Sequence, residues 1–312
     1  MKGFAMPPIR KVAILGAGAL GAYYASRFAA APGFEVAFIA TGERATRLAQ
    51  DGVVVNGERL LLPVGDPARG GEPVDLVLVA LKHHQLAEAL GDLEPFVGAG
   101  TLLVSVLNGL DSEALLAERY GADKVLYCVA VGIDAVRQDG TVTVPNAGRL
   151  FVGEARNAPA SSRVERVQEA LTRAGLPWET PIDMLRTLWW KFMINVGVNQ
   201  ASAVLRAPYG VFQASADARA VITALMAEVL ALAARLGIDL GPADLEEWER
   251  VLGRLAPQGK TSMLQDVEAG RKTEVEIFAG KVVALGREHG VPTPVNQVML
   301  HMIRTLEAGA AE

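Results

Sequence analysis

Val12-Ala13-Ile14-Leu15-Gly16-Ala17-Gly18-Ala19-Leu20-Gly21 is the stretch on which the fold turns. A short apolar run, residues 12–15, leads into a GxGxxG pattern, and a helical stretch over 19–30 follows it. A strand entering a helix through such a loop gives each glycine a task. Gly16 permits the tight turn, Gly18 lets the backbone approach a pyrophosphate, and Gly21 lets the helix pack on the strand. The pyrophosphate would rest on the free amides and positive end of that helix. Residues 16–21 (Gly16, Ala17, Gly18, Ala19, Leu20 and Gly21) are therefore candidate dinucleotide contacts. The same stretch superficially resembles a secretory leader, because Arg10 and Lys11 precede an uncharged segment and then small residues. Glycines at turn spacing and Arg27 within the run argue against that. The segment is also shorter than the ~20 apolar residues of a membrane span. The chain reads as soluble and cytoplasmic.

Working outward, the 312 residues exceed what one core usually serves, so two domains are expected. A hydrophobic fraction of 51% is ample for both cores. Thirty basic against thirty-five acidic residues give a net charge of -5, unlike the basic balance of a nucleic-acid binder. Neither nucleic acid nor membrane is expected as a partner. The single cysteine, Cys128, excludes an internal disulfide and suits a reducing compartment. Its apolar surroundings, residues 125–131, make it read as a buried thiol rather than a nucleophile.

Further apolar runs at 36–40, 76–81 and 101–107 alternate with helical patterns at 85–93 and 112–119. Continuous rather than alternating apolar strands imply a sheet buried on both faces, hence parallel βαβ units. Residues 51–64, with Asn56-Gly57 between two apolar runs, read as a hairpin insertion. Residues 125–153 read as an antiparallel pair turning at Asp139-Gly140. A helix over 162–174 and a proline-bounded connector over 177–181 close this half. Beyond it the pattern is helical, over 185–202, 215–236, 242–255, 263–289 and 296–308. The expected fold is an α/β, doubly wound (Rossmann-type) domain over 1–180, followed by an all-α domain over 181–312.

Dinucleotide sites that take NAD usually place a carboxylate at the tip of the second strand. Here that tip is Ala40-Thr41-Gly42, with Arg44 close behind. Thr41 and Arg44 therefore point to a 2′-phosphate and to NADP, the alternative being that Arg44 is a solvated charge at a helix start. Lys82 and Asn108 follow two later strands, at the edge where such sheets bind ligands; each could equally be an ordinary loop residue. No cluster with metal-ligand spacing is present, and the adjacent His83 and His84 point apart, so no metal is expected.

Within Trp189-Trp190-Lys191-Phe192-Met193-Ile194-Asn195-Val196-Gly197-Val198-Asn199, α-helical geometry stacks Lys191, Asn195 and Asn199 on one face. Their surroundings are apolar, and burying such groups without partners costs several kcal/mol. Either they satisfy one another and a nearby acid, or they line a cavity for something polar. In Thr261-Ser262-Met263-Leu264-Gln265-Asp266-Val267-Glu268-Ala269-Gly270-Arg271-Lys272-Thr273-Glu274, Ser262 with Gln265 fits a capping box. A hydroxyl at a helix start could alternatively bind a carboxylate. Glu268, Arg271, Lys272 and Glu276 read as solvated charges, and Glu274, taken alone, does too.

Together, the GAGALG loop, Lys82, Asn108-Gly109, the W-W-K-x-x-x-N-x-x-x-N helix and S-M-L-Q-D-V-x-x-G-R-K-T-E resemble the ketopantoate reductase (2-dehydropantoate 2-reductase) family. The resemblance covers essentially the whole chain, and its two C-terminal motifs are its most discriminating part. It implies a 6-phosphogluconate-dehydrogenase-like fold and NADPH-dependent reduction of ketopantoate, a small 2-oxo acid, to pantoate. That reaction is a step toward pantothenate and coenzyme A. It implies Lys191 as the catalytic acid with Glu274 as its partner. Asn108, Asn195, Asn199 and Ser262 would be substrate contacts, and the glycines, Lys82 and Asn108 would serve the cofactor. Many members carry arginine where this chain has Thr41, which leaves Arg44 as the substitute. The site would lie between the two domains, closing to exclude water. Burial should lower the pKa of Lys191 and Glu274 should raise it again. A related reductase of another 2-oxo acid and a silent NADP-binding protein are the alternatives. The sequence does not report oligomeric state, and a homodimer is compatible with it.

Overall fold

A computed structural model describes residues 7–138 and 140–309. The chain divides into two compact units, Met1–Thr187 and Leu188–Glu312. Unit one contains β1 (Lys11–Leu15), α1 (Ala19–Ala30), β2 (Glu35–Ile39), α2 (Gly42–Asp51), β3 (Val53–Val55), β4 (Glu58–Leu60) and β5 (Val64–Gly65). These are followed by β6 (Leu76–Val79), α3 (His83–Ala89), β7 (Leu102–Ser105) and α4 (Ser112–Tyr120). Then come β8 (Val125–Gln138), β9 (Thr141–Gly153), α5 (Ser162–Arg173) and β10 (Trp178–Glu179).

The strands order β4-β3-β9-β8-β7-β6-β1-β2-β5, with β10 beside β9. From β5 through β2, β1, β6 and β7 to β8 every pairing is parallel. The register Val12↔Val36 and Val12↔Leu76 puts β1 between β2 and β6. Successive residues of β1 feed opposite faces, which is why its run is continuously apolar. Val12 and Ile14 join Phe28 of α1 and Val167 of α5 in one core, whereas Ala13 and Leu15 join Leu86 of α3 and Leu116 of α4 in the other. Each enclosed large side chain contributes roughly 1.5–3 kcal/mol. The doubly wound unit is thus a three-layer arrangement, and its strands β1, β2, β6 and β7 all end at one edge.

The hairpin over residues 51–64 forms as β3 and β4, turning at Asn56 and Gly57, both at positive φ (50° and 85°). β8 and β9 pair antiparallel. Of the Asp139-Gly140 turn, Asp139 lies outside the described residues and Gly140 sits at φ 81°. The connector over 177–181 differs from expectation, because Trp178 and Glu179 pair in parallel with Leu150 and Phe151 of β9. The helical stretch over 85–93 is also divided. α3 ends at Ala89, and a 3-10 segment, Leu90–Phe96, carries Pro95, whose missing N–H cannot extend an α-helix.

The helical remainder comprises α6 (Met184–Ile194), α7 (Gln200–Leu205), α8 (Tyr209–Ala214), α9 (Ala216–Arg235), α10 (Pro242–Leu252), α11 (Ser262–Glu268), α12 (Ala279–His289) and α13 (Pro294–Gly309). The unit boundary falls within α6. Unit two has its own core, built from fully enclosed residues such as Leu225, Met226, Val229, Phe278 and Ile303. Two expected helices are interrupted. Residues 185–202 are not one α-helix, because a π-helical turn, Asn195–Asn199, separates α6 from α7. Residues 263–289 break between α11 and α12, where Gly270 takes φ 62° and Val275–Ile277 form a 3-10 turn.

Candidate active site

The glycine loop joins β1 to α1 with three distinct constraints. Gly16 sits at φ 103°, and a Cβ there would meet the Ala80 carbonyl oxygen at 2.6 Å. A Cβ on Gly21 would lie 1.8 Å from the Gly16 carbonyl oxygen, so the helix can approach the strand only without one. A Cβ on Gly18 would find its nearest neighbour, Ala80 O, at 3.9 Å. The backbone at Gly18 therefore faces open space, and as N-cap it brings no side chain to the first-turn amides. Those orphan donors are an anion receptor, placed where strand order reverses around β1.

Thr41 is exposed and makes no side-chain cap to α2. Arg44, in the first turn of α2, is half-buried rather than a freely solvated charge. Burial pushes its guanidinium down, and Arg47 and Arg137 push it further. Arg137, on β8, donates from Nη1 to the Ala17 carbonyl within the glycine loop at 2.9 Å. Lys82 caps α3 beyond β6, its N–H donating to Gln85 Oε1 at 3.3 Å. Asn108 is half-buried beyond β7 and is followed by Gly109 at φ 97°. The loop, Arg44, Lys82 and Asn108 are thus brought to one sheet edge by neighbouring strands.

In unit two, Lys191 lies in the last turn of α6 among Trp189, Phe192 and Met193, all buried. Trp189 and Phe192 meet edge to face at 5.8 Å, and Phe192 approaches Phe278 at 6.5 Å. Lys191 retains some surface, yet burial pushes its ammonium down to about 8, and the expected opposing push from Glu274 is not among the causes. Asn195 and Asn199 follow on the π-turn, 4% and 6% exposed. The three residues belong to one continuous helical rod, but the wider turn replaces the uniform α-helical stacking.

α11 packs against α7 and this turn. Ser262 is its first residue and is exposed. The expected capping box at Ser262 is not the one observed. Thr261 is the N-cap, accepting from Leu264 N at 3.1 Å through Oγ1, while the Gln265 amide donates to Lys260 O at 3.4 Å. The Ser262 hydroxyl is therefore not consumed by capping its helix. Glu274 is half-buried at the entry to the 3-10 turn. Its neighbour Thr273 donates through N and Oγ1 to Glu307 Oε1 at 2.7 and 2.5 Å, tying this segment to α13. The charges around it are paired: Lys260–Glu268 and Arg304–Glu276 on the surface at 2.8 and 2.7 Å, and exposed Arg271 with buried Asp266 at 3.0 Å. Among the described residues, no three His, Cys, Asp or Glu side chains assemble as a metal site. No helix is long and apolar enough to cross a membrane there either.

Two features escaped the sequence reading. Arg137 sits on a strand whose pattern says nothing of the glycine loop. Gln200, Glu228 and Asn296 form a buried polar network; the signal that could have found it is Glu228, the one charge in the apolar helical stretch 220–234.

A doubly wound sheet with this loop, in a chain whose helical unit buries two asparagines and partly encloses a lysine, defines a dinucleotide-dependent oxidoreductase. The ketopantoate reductase PanE/ApbA family model matches residues 12–157, and its C-terminal model matches residues 183–307. The 2-dehydropantoate 2-reductase of Archaeoglobus fulgidus is 30% identical over 96% of this chain and 99% of its own length. Among solved structures, 2-dehydropantoate 2-reductase from Geobacter metallireducens aligns with TM-score 0.83 and 27% identity, covering 95% of this chain and 99% of that one. D-mandelate dehydrogenase with NADH and anilino(oxo)acetate aligns with TM-score 0.87 over 97% and 100% of the two chains; at 20% identity this reports a shared fold. The chain belongs to the ketopantoate reductase family, a family of NADP-dependent oxidoreductases.

Proposed function

We propose that the protein reduces 2-dehydropantoate (ketopantoate) to pantoate with NADPH, a step toward pantothenate and coenzyme A. The observation that carries this reading is Lys191, an ammonium held near 8 by burial and followed on the same rod by buried Asn195 and Asn199. The open backbone at Gly18, with uncapped first-turn amides, fits a pyrophosphate. Arg44, with Arg47 and Arg137 pressing on it, offers the positive field that a 2′-phosphate needs, and Thr41 leaves room beside it. Lys82 and Asn108 would complete the cofactor edge. The single buried Cys128 fits a reducing, cytoplasmic setting.

When bound, NADPH supplies the hydride. This chain supplies what the carbonyl needs in return. Lys191 stabilises the developing alkoxide by charge and then gives it the proton from Nζ, to be restored from solvent. A pKa near 8 leaves the ammonium the majority form at neutral pH while making it a better acid than a solvated lysine. Glu274 is proposed as the partner of Lys191 in the closed, substrate-bound site. Ser262 would bind the substrate carboxylate, and Asn108, Asn195 and Asn199 would orient the carbonyl and hydroxyl oxygens. The test is NADPH oxidation followed with a panel of 2-oxo acids. Ketopantoate should give the highest kcat/KM, by at least about tenfold over phenylglyoxylate, a discrimination that a shaped pocket readily provides. Preference for the aryl acid would overturn the substrate assignment while leaving the chemistry of Lys191 in place.

A further inference from the structure

Gln200, Asn296 and Glu228 are polar, stand on three different helices and are 0%, 0% and 9% exposed. Polar groups so deeply enclosed persist when most of their bonding capacity is used, and these are linked in series, Gln200 Oε1 being the atom among them left without a partner. The Glu228 carboxylate, from α9, meets the start of α13. Its Oε1 accepts from Val295 N at 2.8 Å, and its Oε2 accepts from Asn296 N at 3.0 Å and Asn296 Nδ2 at 2.7 Å. Asn296 Nδ2 also donates to Leu225 O at 3.2 Å. With its nitrogen claimed by two acceptors, Asn296 presents Oδ1 on its other side, where Gln200 Nε2 donates to it at 3.1 Å. The same nitrogen donates to Val196 O at 2.6 Å, inside the π-turn. A carboxyl group whose two oxygens both accept from N–H donors therefore dictates the orientation of both amides in turn.

The turn is where ordinary helix bonding lapses. The backbone N–H of Gln200 goes to Gly197 O, so the Gln200 side chain brings an extra donor to the Val196 carbonyl. On the opposite flank α9 presses directly on the turn. A Cβ on Gly197 would lie 2.6 Å from Met226 Cε and 3.1 Å from Ile222 Cγ2. π-Turns are rare and need such support.

We infer that Glu228, Asn296 and Gln200 are positioning residues, a hydrogen-bonded relay that holds the Asn195–Asn199 turn in its wide form and so aims the two asparagines. The inference rests on reading Asn195 and Asn199 as substrate contacts. Misplacing such contacts by about an ångström can cost up to ~100-fold.

The test compares Gln200→Met, which keeps the side-chain length and removes the donor, with Asn199→Ala and wild type. Three readouts are taken: steady-state kinetics with ketopantoate, NADPH affinity, and amide hydrogen exchange over residues 195–201. Gln200→Met should raise KM for ketopantoate or lower kcat by roughly 10- to 100-fold. It should speed exchange in that segment and leave NADPH affinity within about twofold. Gln200→Glu is the companion variant, because a buried neutral carboxyl can donate to Val196 O and a carboxylate cannot. Its activity relative to wild type should recover as pH falls. Unchanged kinetics and exchange in Gln200→Met, with Asn199→Ala impaired, would overturn the relay. An unimpaired Asn199→Ala would instead overturn the substrate reading, and the exchange data would then decide the relay by themselves.

Discussion

A lysine among tryptophan, phenylalanine and methionine is costly, and the cost falls on its charged form. Burial lowers Lys191 from 10.5 to about 8. Below pH 8 the folded protein carries the whole penalty of holding the charge. Between about 8 and 10.5 the folded state sheds the proton while the unfolded chain keeps it, so stability from this group rises with pH. Lys191→Met should therefore stabilise the fold by about 1–3 kcal/mol at pH 7, and the gain should shrink above pH 8. Denaturant melts at pH 7 and pH 10 check this; a destabilised variant at pH 7 would mean that the ammonium is fully compensated in the fold. Lys191 was legible because a lone cation in an apolar helical stretch needs a reason. Arg137 was not, since its bond to Ala17 O crosses from one strand to a distant loop and leaves no local signal.

Among the elements, the glycine loop separates packing from binding. Gly21→Ala drives a methyl into the Gly16 carbonyl and should cost about 1–3 kcal/mol of stability, as overpacking does. Gly18→Ala meets open space and should melt like wild type, yet weaken NADPH by at least about tenfold, the equivalent of 1.4 kcal/mol. Paired thermal melts and NADPH titrations distinguish the two; normal NADPH affinity in Gly18→Ala would remove the pyrophosphate from this loop. The strands and α1 were readable because glycines bracket them and their apolar runs are continuous. The two helix interruptions in unit two were hidden by periodicity. Val275, Ile277, Phe278 and Ala279 are all buried, so the apolar pattern resumes before α12 begins and masks a break whose local signal is Gly270 and the polar residues 271–274. What ends α11 is a backbone at φ 62° on Gly270 and the tertiary hold of Glu307 on Thr273. The π-turn likewise depends on Gln200, Asn296 and the contact of Gly197 with α9, none of which a window of sequence contains.

At the scale of the molecule, the proposed reaction divides its labour between two units with separate cores. The glycine loop, Arg44, Lys82 and Asn108 belong to the first; Lys191, Asn195, Asn199, Ser262 and Glu274 belong to the second. Length led to the expectation of two domains, and the switch from alternating strands and helices to helices alone set the expected change of plan near residue 180. Removing the acid should consequently abolish turnover while sparing the cofactor. The decisive measurement is ketopantoate-dependent NADPH oxidation by Lys191→Ala beside NADPH affinity in the same sample. Turnover at least ~100-fold below wild type, with NADPH affinity unchanged, is the predicted result. Near-wild-type turnover in a folded, NADPH-binding Lys191→Ala protein would contradict it.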